Sequence, residues 1–277
     1  MGDQTCEGYN PALWIAPRGR MVQTMKIVTF NLRHDADRWT ERRSLIVQTL
    51  SEQNADLIAF QEVAIPIRQA HEIAHDLNAA IGGQPYAVHV QPKGGDERLY
   101  EGIAILTKLP AVEVDAIDLP GGNRVAQRIR VIWDGQPLNL INTHLHHLPE
   151  EDESIRAPQM RAILAWIAAL AKTHREDRWV IVGDLNAQPH SETIQHAVKV
   201  LRSAYLTVHG SEPFTFPTPL VTNSGELYPP MAIDYVFFDP AFLNVISAEL
   251  VGTTPAKNDP TLYPSDHFGI AAELTLK

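Results

Sequence analysis

Short apolar runs that alternate with amphipathic helical stretches are the feature that most limits how this chain can fold. Residues 26–32 (KIVTFNL) and residues 56–63 (DLIAFQEV) each predict a buried strand. A helix is predicted after each run, at residues 40–53 with Thr40 as its N-cap and at residues 66–80. Alternation of strands and helices is typical of α/β proteins.

The remaining predicted elements add hairpins to this pattern. Further strands are predicted at residues 86–90, 102–107, 128–133, 138–143, 179–183, 233–238, 245–250 and 270–276. Helices are predicted at residues 155–174 and 192–203, and a loop rich in proline and threonine at residues 212–230. Glycine-containing turns at residues 121–123 and 134–135 join neighbouring strands. This mixed order predicts an α/β fold, a four-layer α/β/β/α sandwich of two mixed sheets flanked by helices.

The chain length suits one sizeable core, and no linker divides it. We expect residues 25–277 to form a single domain and residues 1–24 to be a loosely ordered N-terminal extension, since Met21 and Met25 directly precede the first strand. The extension lacks the apolar segment of a signal peptide, and no run approaches the roughly 18 apolar residues of a transmembrane segment. One cysteine, Cys6, permits no intrachain disulfide and suits a reducing, cytoplasmic location.

The formal net charge of −10 disfavours tight nonspecific binding to DNA, for which a basic surface is typical. A local basic patch around Arg124, Arg128 and Arg130 is compatible with this overall charge. A nucleic-acid substrate is also compatible with it, because a metal ion can offset phosphate charge locally.

Polar side chains stand at the ends of several predicted strands. They are Asn31, Glu62, His144, Asp184, Asn186, Asp266 and His267. One aspartate after a strand is more often a turn former or helix cap than a catalyst, and one histidine there usually has a structural role. Capping does not explain so many such groups in similar positions. Together they supply hard oxygen ligands, amide donors and imidazoles, and therefore predict a hydrolytic metal site.

Five of seven notable segments contain these groups, and the other two lie between them in the sequence. The seven are TFNLR (29–33), DLIAFQEV (56–63), EGIAILTK (101–108), INTHL (141–145), VGDLNAQP (182–189), IDYVF (233–237) and SDH (265–267). As an ordered set from about residue 26 to the C-terminus, they closely resemble the endonuclease/exonuclease/phosphatase superfamily. The resemblance implies one catalytic domain that hydrolyses phosphate esters, with Mg²⁺, or alternatively Mn²⁺, as cofactor.

The resemblance also implies metal ligands and a water-activating group. Glu62 matches the family's metal-binding glutamate, Asp266 a position that contacts the metal, and Asn31 a residue that assists the metal or holds a phosphate oxygen. His267 matches the general base, and Asp234 the carboxylate that would orient it as a neutral imidazole near pH 7. The implied reaction is in-line attack by water on phosphorus.

Four further positions are assigned to the substrate side of this reaction. Asp184 and Asn186 match the family's Asp-x-Asn, and their spacing on an extended segment would point both side chains the same way. The carboxylate would then orient or deprotonate the water while the amide donates to the phosphate. His144 matches a histidine that donates to a phosphoryl oxygen, and Glu101 the carboxylate behind it.

The sequence leaves open which arginine contacts the substrate phosphate, Arg124 or Arg128. It disfavours a zinc hydrolase of the metallo-β-lactamase type, because Leu148 and Pro149 interrupt the histidine motif that begins at His144. A calcineurin-like phosphatase is disfavoured because no Gly-Asn-His-Asp segment follows Asp184. A non-catalytic binding module is disfavoured because the core polar positions are intact.

Substrate choice depends on loops rather than on fold. The expected partner is a phosphate ester, which is a small molecule, a nucleic acid or a lipid headgroup, and no obligatory protein partner is expected. A small soluble phosphodiester or phosphomonoester suits the acidic charge best. A DNA or RNA nuclease and a sphingomyelinase-like phospholipid phosphodiesterase are the alternatives. The mildly apolar loop at residues 214–230 is predicted to line the cleft, with Phe214 either stacking on a substrate ring or packing on the core.

Overall fold

A computed structural model of the chain describes residues 14–15, 21–83, 85–147, 153–225 and 227–277. The predicted N-terminal extension, with Cys6, falls mainly outside these ranges. The strands in chain order are β1 (Trp14–Ile15), β2 (Met21–Val22), β3 (Thr24–Asn31), β4 (Leu57–Ala64), β5 (Ala87–Pro92), β6 (Glu101–Thr107), β7 (Ala111–Asp118), β8 (Val125–Trp133), β9 (Gln136–His144), β10 (Arg178–Asp184), β11 (Arg202–Ser203), β12 (Asp234–Phe238), β13 (Leu243–Val251) and β14 (Gly269–Leu276). The helices are α1 (Trp39–Gln53), α2 (Gln69–Ile81), α3 (Glu153–Leu170), α4 (Glu192–Ala197) and α5 (Ala204–His209), with a short 3-10 helix at Gly95–Leu99.

The strands form two six-stranded sheets and a short ribbon in which β1 pairs with β2. The first sheet has the order β13-β14-β3-β4-β6-β5, and the second has the order β11-β12-β10-β9-β8-β7. Each sheet is mixed, because β3 and β4 run parallel in the first and β9 and β10 run parallel in the second, while their other pairs are antiparallel.

The two sheets pack face to face over a fully buried apolar layer. Ile27 and Leu57 from the first sheet meet Ile129, Leu140 and Val180 from the second in this layer. Successive residues of a strand point to opposite faces, so the neighbours of these residues face outwards. This central layer is what holds the two sheets in a fixed relative position.

Helices cover the outer face of each sheet. Phe30 of β3 lies in a cluster with Ile46 of α1 and Ile73 of α2, and Ile181 of β10 lies in one with Ile163 of α3. The predicted four-layer α/β/β/α sandwich is therefore confirmed. Within the described ranges, no helix is both long enough and apolar enough to cross a membrane.

Some local elements differ from the prediction. Helix α1 begins at Trp39, because Arg38 adopts a left-handed conformation and precedes the helix without a side-chain cap, so Thr40 lies inside the helix. The helix predicted at 192–203 ends at Ala197, and Ser203 then caps α5 by accepting a hydrogen bond from Leu206 N. Strand β7 was not predicted, although its alternation of apolar and acidic residues is typical of an edge strand.

Candidate active site

His144, Asp184 and Asp234 stand side by side on three neighbouring strands. Asp184 is the last residue of β10 and pairs in register with His144, the last residue of β9. On its other side it pairs with Asp234, the first residue of the antiparallel β12. Because neighbouring strands lie about 4.8 Å apart, the backbone itself fixes this row of polar groups where β9 and β10 end and β12 begins.

Asn31 joins this row to the first sheet. Its side-chain Nδ2 donates to Asp184 Oδ2 at 3.0 Å and to Glu62 Oε1 at 3.2 Å, while its Oδ1 accepts from the backbone N of Arg33 at 2.8 Å. Both ends of the fully buried amide are therefore engaged. The predicted neighbours Asn31, Glu62 and Asp184 do come together, although Asn31 and Asp184 are 153 residues apart.

Glu62 owes its direction to a β-bulge. The register between β4 and β6 shifts between Phe60 and Val63, and Glu62 has a φ of 50°. A positive φ is unfavourable for a residue with a side chain, and such strain clusters at functional sites. Bulges re-aim side chains beside active sites, and this one lets Glu62 line the cleft.

His267 precedes β14 and pairs with Asp234. Its Nδ1 donates to Asp234 Oδ2 at 2.9 Å, and its Nε2 lies 3.8 Å from Asp184 Oδ2. Burial lowers the pKa of His267, but the carboxylates of Asp234 and Asp184 outweigh it and raise this pKa to about 10. Without a bound cation these neighbours favour the imidazolium at pH 7, whereas the sequence predicts a neutral ring.

His144 has the opposite surroundings. Its Nδ1 lies 3.7 Å from Glu101 Oε1 and its Nε2 lies 3.6 Å from Asp184 Oδ2, both beyond hydrogen-bond length. Burial and the positive charge of Arg124 hold the pKa of His144 well below its usual value, so the ring is neutral. Glu101 is itself bound by Lys93 Nζ at 2.6 Å. Although burial raises it, His144 and Lys93 bring the pKa of Glu101 below its ordinary value.

Of the two candidate arginines, only Arg124 lines the cleft. Arg128 is buried against the second sheet, where its Nε donates to Asp115 Oδ1 at 2.7 Å and its Nη1 donates to Asn139 Oδ1 at 2.8 Å. The prediction that Arg128 could contact substrate is therefore not supported by its position. Arg124 and Arg128 are four residues apart, which corresponds to about 13 Å along an extended chain.

These groups open into a cleft of about 750 Å³. The loop predicted to line it does so and forms an apolar wall, to which Phe216, Pro217, Pro219, Leu220, Leu227 and Tyr228 contribute. Phe216 also packs against His267, with ring centroids 4.7 Å apart. Phe214 is exposed and lies outside the described lining, so neither of its two predicted roles is seen.

Comparisons with known proteins agree with this geometry. The sequence model of the Endonuclease/Exonuclease/phosphatase family matches residues 28–267. The chain belongs to this family. Its members hydrolyse phosphate esters, and the matched region contains every residue that the sequence assigned to the site. No curated protein matches the chain by sequence.

Solved structures of low sequence identity share the fold. Truncated TDP2 from Caenorhabditis elegans is 19% identical, with a TM-score of 0.75 over 91% of this chain and 98% of that chain. The human Nocturnin catalytic domain with bound sulfate is 21% identical, with a TM-score of 0.72 over 92% of this chain and 95% of that chain. D. rerio TDP2 complexed with a single-strand DNA product is 18% identical, with a TM-score of 0.72 over 91% of this chain and 98% of that chain.

The family's Asp-x-Asn segment departs here from the expected extended form. Asn186 has a φ of 48°, and its backbone N donates to Asp184 Oδ1 at 2.9 Å. The expectation of an extended segment is therefore wrong, and a turn instead brings both side chains to the cleft. Asn186 Nδ2 also donates to Leu145 O at 3.2 Å, so one of its two amide hydrogens is already engaged.

Sequence reasoning missed Arg33, although it belongs to the quoted segment TFNLR. This arginine lines the cleft and forms ion pairs with Asp266 and Asp37. A second, fully buried arginine, Arg42, holds the surrounding loop by donating to the backbone oxygens of Leu32 at 2.9 Å and Asp37 at 2.7 Å. The two arginines fix the position of Asp266, which the sequence did place in the site.

The acidic and histidine side chains also fit a hard divalent cation. Glu62, His144 and Asp184 each offer a ligand atom within 4.8 Å of the others, as do Asp184, Asp234 and His267. Burial, together with Asp234, raises the pKa of Asp184 to about 7, and burial together with Glu101 raises the pKa of Glu62. A bound cation would offset the repulsion between these buried carboxylates, and their oxygen atoms are ligands that suit Mg²⁺ or Mn²⁺.

Proposed function

We propose that this chain is a metal-dependent hydrolase of phosphate ester bonds, with Mg²⁺ as its cofactor and Mn²⁺ as a substitute. The observation that carries the proposal is the amide of Asn31, which binds the carboxylates of Glu62 and Asp184 beside the Asp234–His267 pair. Such an arrangement of carboxylates, amide and histidine at one point offers both a cation site and a proton acceptor. Membership of the family supports the same chemistry.

Glu62, with Asn31 and Asp266, would hold the cation. When bound, the cation would supply positive charge to the phosphate oxygens and to the leaving group. The ion pair between Arg33 and Asp266 keeps this part of the cleft ordered and adds a second positive charge at its edge.

Asp184 and His267 would activate the attacking water. A water between Asp184 Oδ2 and His267 Nε2, which are 3.8 Å apart, would contact both groups. With a cation bound nearby, which would lower the pKa of His267, the neutral ring would accept the proton that leaves the water while the Asp184 carboxylate orients that water. Asp234 would keep the imidazole oriented through its 2.9 Å hydrogen bond to Nδ1.

His144 and Asn186 would stabilise the phosphoryl oxygens. A neutral His144 can donate its Nε2 hydrogen to an oxygen on which negative charge builds during attack. Glu101, held by Lys93, lies 3.7 Å behind Nδ1 without a hydrogen bond, and its negative charge would help this ring to keep the hydrogen on Nε2. Asn186 would donate the amide hydrogen that Leu145 O does not occupy.

A small soluble phosphodiester or phosphomonoester remains the first candidate substrate, because the chain carries a net charge of −10. A nuclease is the second candidate. Phe216 and Tyr228, whose rings lie 5.2 Å apart in the cleft wall, would stack on bases of a single strand. A sphingomyelinase-like activity is a third candidate, since Leu227 in the same wall is 97% exposed and could contact lipid.

The first test is hydrolysis of bis-p-nitrophenyl phosphate and p-nitrophenyl phosphate with Mg²⁺, Mn²⁺ or EDTA. We expect metal-dependent turnover that is lost in Glu62→Gln, a variant of nearly equal volume that lacks the charge. The preference between diester and monoester then narrows the substrate class. Single-stranded oligonucleotides and sphingomyelin vesicles distinguish the two alternatives. Metal-independent turnover that survives in Glu62→Gln would contradict the proposal.

A further inference from the structure

The strand order arranges the polar groups of the cleft in a line. Along the second sheet, β12, β10, β9 and β8 are consecutive neighbours. At the cleft, Asp234 begins β12, Asp184 ends β10 and His144 ends β9. Arg124 immediately precedes β8. With about 4.8 Å between strands, the backbone of Arg124 lies one strand beyond His144 and two strands, or about 10 Å, beyond Asp184.

The first sheet places its own polar groups in a similar order on the opposite side of the cleft. His267 lies just before β14, Asn31 ends β3, Glu101 begins β6 and Lys93 follows β5. Asn31 and His267 contact residues of β10 and β12, whereas Lys93 lies at the same end of the cleft as Arg124. We call the end formed by Asp184, Asp234 and His267 the acidic end, and the end formed by Lys93, Arg124 and His147 the basic end, where Glu101 is bound to Lys93.

At the basic end, the guanidinium of Arg124 is buried but only partly bonded. The residue is 4% exposed, and its Nη2 donates to His147 Nδ1 at 3.0 Å. Its Nε and Nη1 are buried and have no hydrogen-bond partner among the described residues. A buried, unpaired guanidinium is costly, since buried charges in proteins are normally paired and hydrogen-bonded.

The carboxylates near Arg124 are bound to Lys93 or lie too far away for an ion pair, although the charge of Arg124 contributes to the lowered pKa of Glu97. Lys93 is buried and is engaged by Glu101 at 2.6 Å and by the half-exposed Glu97 at 3.3 Å. In the described part of the chain, no carboxylate lies within ion-pair distance of Arg124. The pKa of His147 is lowered by burial and by the charge of Arg124, so the ring is a neutral acceptor that orients the guanidinium and adds no negative charge.

We propose that Arg124, with Lys93 and His147, forms a second anion site that binds a phosphate group of the substrate other than the one hydrolysed. The inference rests on the proposed function and names its substrate class, a phosphate ester that carries a further phosphate. The scissile ester lies at the Asp184–His267 end, and the second phosphate lies beyond His144. The guanidinium of Arg124 carries donor hydrogens that no described residue accepts, and it offers them together with its charge to the oxygens of such an anion.

The site can be tested without turnover by titrating inorganic sulfate into the metal-free protein. Sulfate that binds at the position of the scissile phosphate does not depend on Arg124, so the Arg124-dependent part of the binding reports on the basic end. We expect calorimetry to detect sulfate binding that weakens about tenfold or more in Arg124→Met, because charge-assisted hydrogen bonds are lost. Arg124→Lys should bind with intermediate affinity. Arg130→Met is the matched control, since Arg130 lies on β8, the strand that Arg124 precedes, but pairs with Asp177 outside the cleft.

Circular dichroism checks that each variant is folded. Absence of sulfate binding to the wild type, or equal binding to folded Arg124→Met, would overturn the site. Equal losses in Arg124→Met and Arg130→Met would overturn it too, because the effect would then be one of net charge alone.

A matched substrate pair tests the same site during turnover. Thymidine 5′-(p-nitrophenyl phosphate) is compared with its 3′-phosphorylated form in the presence of Mg²⁺. We expect wild type and Arg130→Met to favour the 3′-phosphorylated form by about tenfold or more in kcat/KM, and Arg124→Met to reduce this preference to about one. A preference that survives in Arg124→Met would overturn the second site. Loss of turnover on both substrates, with sulfate binding intact, would count against the proposed hydrolysis and leave the anion site standing.

Discussion

The acidic and basic ends of the cleft each contain a buried histidine, and the two differ in protonation. His267 is 5% exposed and His144 is 4% exposed, so burial alone would lower the pKa of both rings. His267 touches Asp234 at 2.9 Å and its pKa rises, whereas the nearest carboxylate oxygens to His144 are 3.6 Å and 3.7 Å away and its pKa falls. Direct contact with a carboxylate, rather than depth in the fold, decides which ring carries a proton.

This difference gives each histidine a separate task. We propose that His267 takes the proton of the attacking water once a bound cation lowers its pKa, whereas the neutral His144 beside Arg124 donates a hydrogen bond without changing its charge. Substitution of either histidine tests this difference, and the expected effects decrease from His267 to His144 and then to Glu101.

The largest effect is expected at the acidic end. His267→Ala should reduce kcat by about 10²–10⁴-fold, the usual contribution of a positioned acid–base group. His146→Ala is the matched control, because the described lining of the cleft includes His147 but not His146. Steady-state kinetics on bis-p-nitrophenyl phosphate provides the measurement. A folded His267→Ala enzyme with wild-type kcat would remove His267 from the mechanism.

Replacement of the other histidine should cost less. His144→Gln removes a donor to the phosphoryl oxygen, and loss of one such donor lowers kcat by about 10²–10³-fold. We expect KM to change little, because the bond strengthens as charge develops. If His144→Gln raised KM and left kcat intact, the ring would bind substrate without stabilising the transition state.

Opposite pKa shifts predict opposite effects of pH on stability. The raised pKa of His267 contributes stability that is complete below its unfolded value of about 6.5 and is lost as pH rises towards 10. The lowered pKa of His144 contributes stability that is present above about 6.5 and is lost as pH falls below it. Urea unfolding in EDTA from pH 5 to 10 measures both slopes.

His267→Gln should flatten the alkaline side of this profile, and His144→Gln should flatten the acid side. The same slope change in both variants would mean that the two rings do not differ in protonation. Added Mg²⁺ should lower the pKa of His267 in an NMR titration, because a nearby cation disfavours the imidazolium.

The smallest effect is expected for substitution of Glu101, which lies behind His144. Glu101→Gln should lower kcat by about tenfold, or about 1.4 kcal/mol, because a carboxylate at 3.7 Å orients the ring without a short bond. The pH–rate profile should shift as well, since the variant removes a charge that raises the pKa of His144. An unchanged profile and unchanged kcat would place Glu101 outside the mechanism.

The sequence predicted the four-layer sandwich from the order of strands and helices. It predicted the convergence of the site from the polar residues that stand at strand ends. Buried strands that end in Asn31, His144 or Asp184 have to bring those groups to one edge once the sheets pack. The same reasoning could not choose between Arg124 and Arg128, because only the position along β8 relative to the cleft separates them. Their partners, His147 and Asp115, are known only from the packed sheets.

The local backbone conformation at the site and the protonation of its histidines could not be predicted from the sequence either. The positive φ values of Glu62 and Asn186 come from a bulge and a turn that tertiary contacts impose, and neither residue is a glycine. The charge of His267 depends on carboxylates contributed by other strands. Arg33 was the one omission with a visible signal, since it stands two residues after Asn31 in a segment that was already assigned to the site.

The most direct test of the central claim is hydrolysis of bis-p-nitrophenyl phosphate in ¹⁸O-labelled water with Mg²⁺. The account predicts turnover that stops in EDTA and in Glu62→Gln, with one ¹⁸O atom in each p-nitrophenyl phosphate formed, because water attacks phosphorus. Label in p-nitrophenol, or turnover that continues without a divalent cation and in Glu62→Gln, would contradict it.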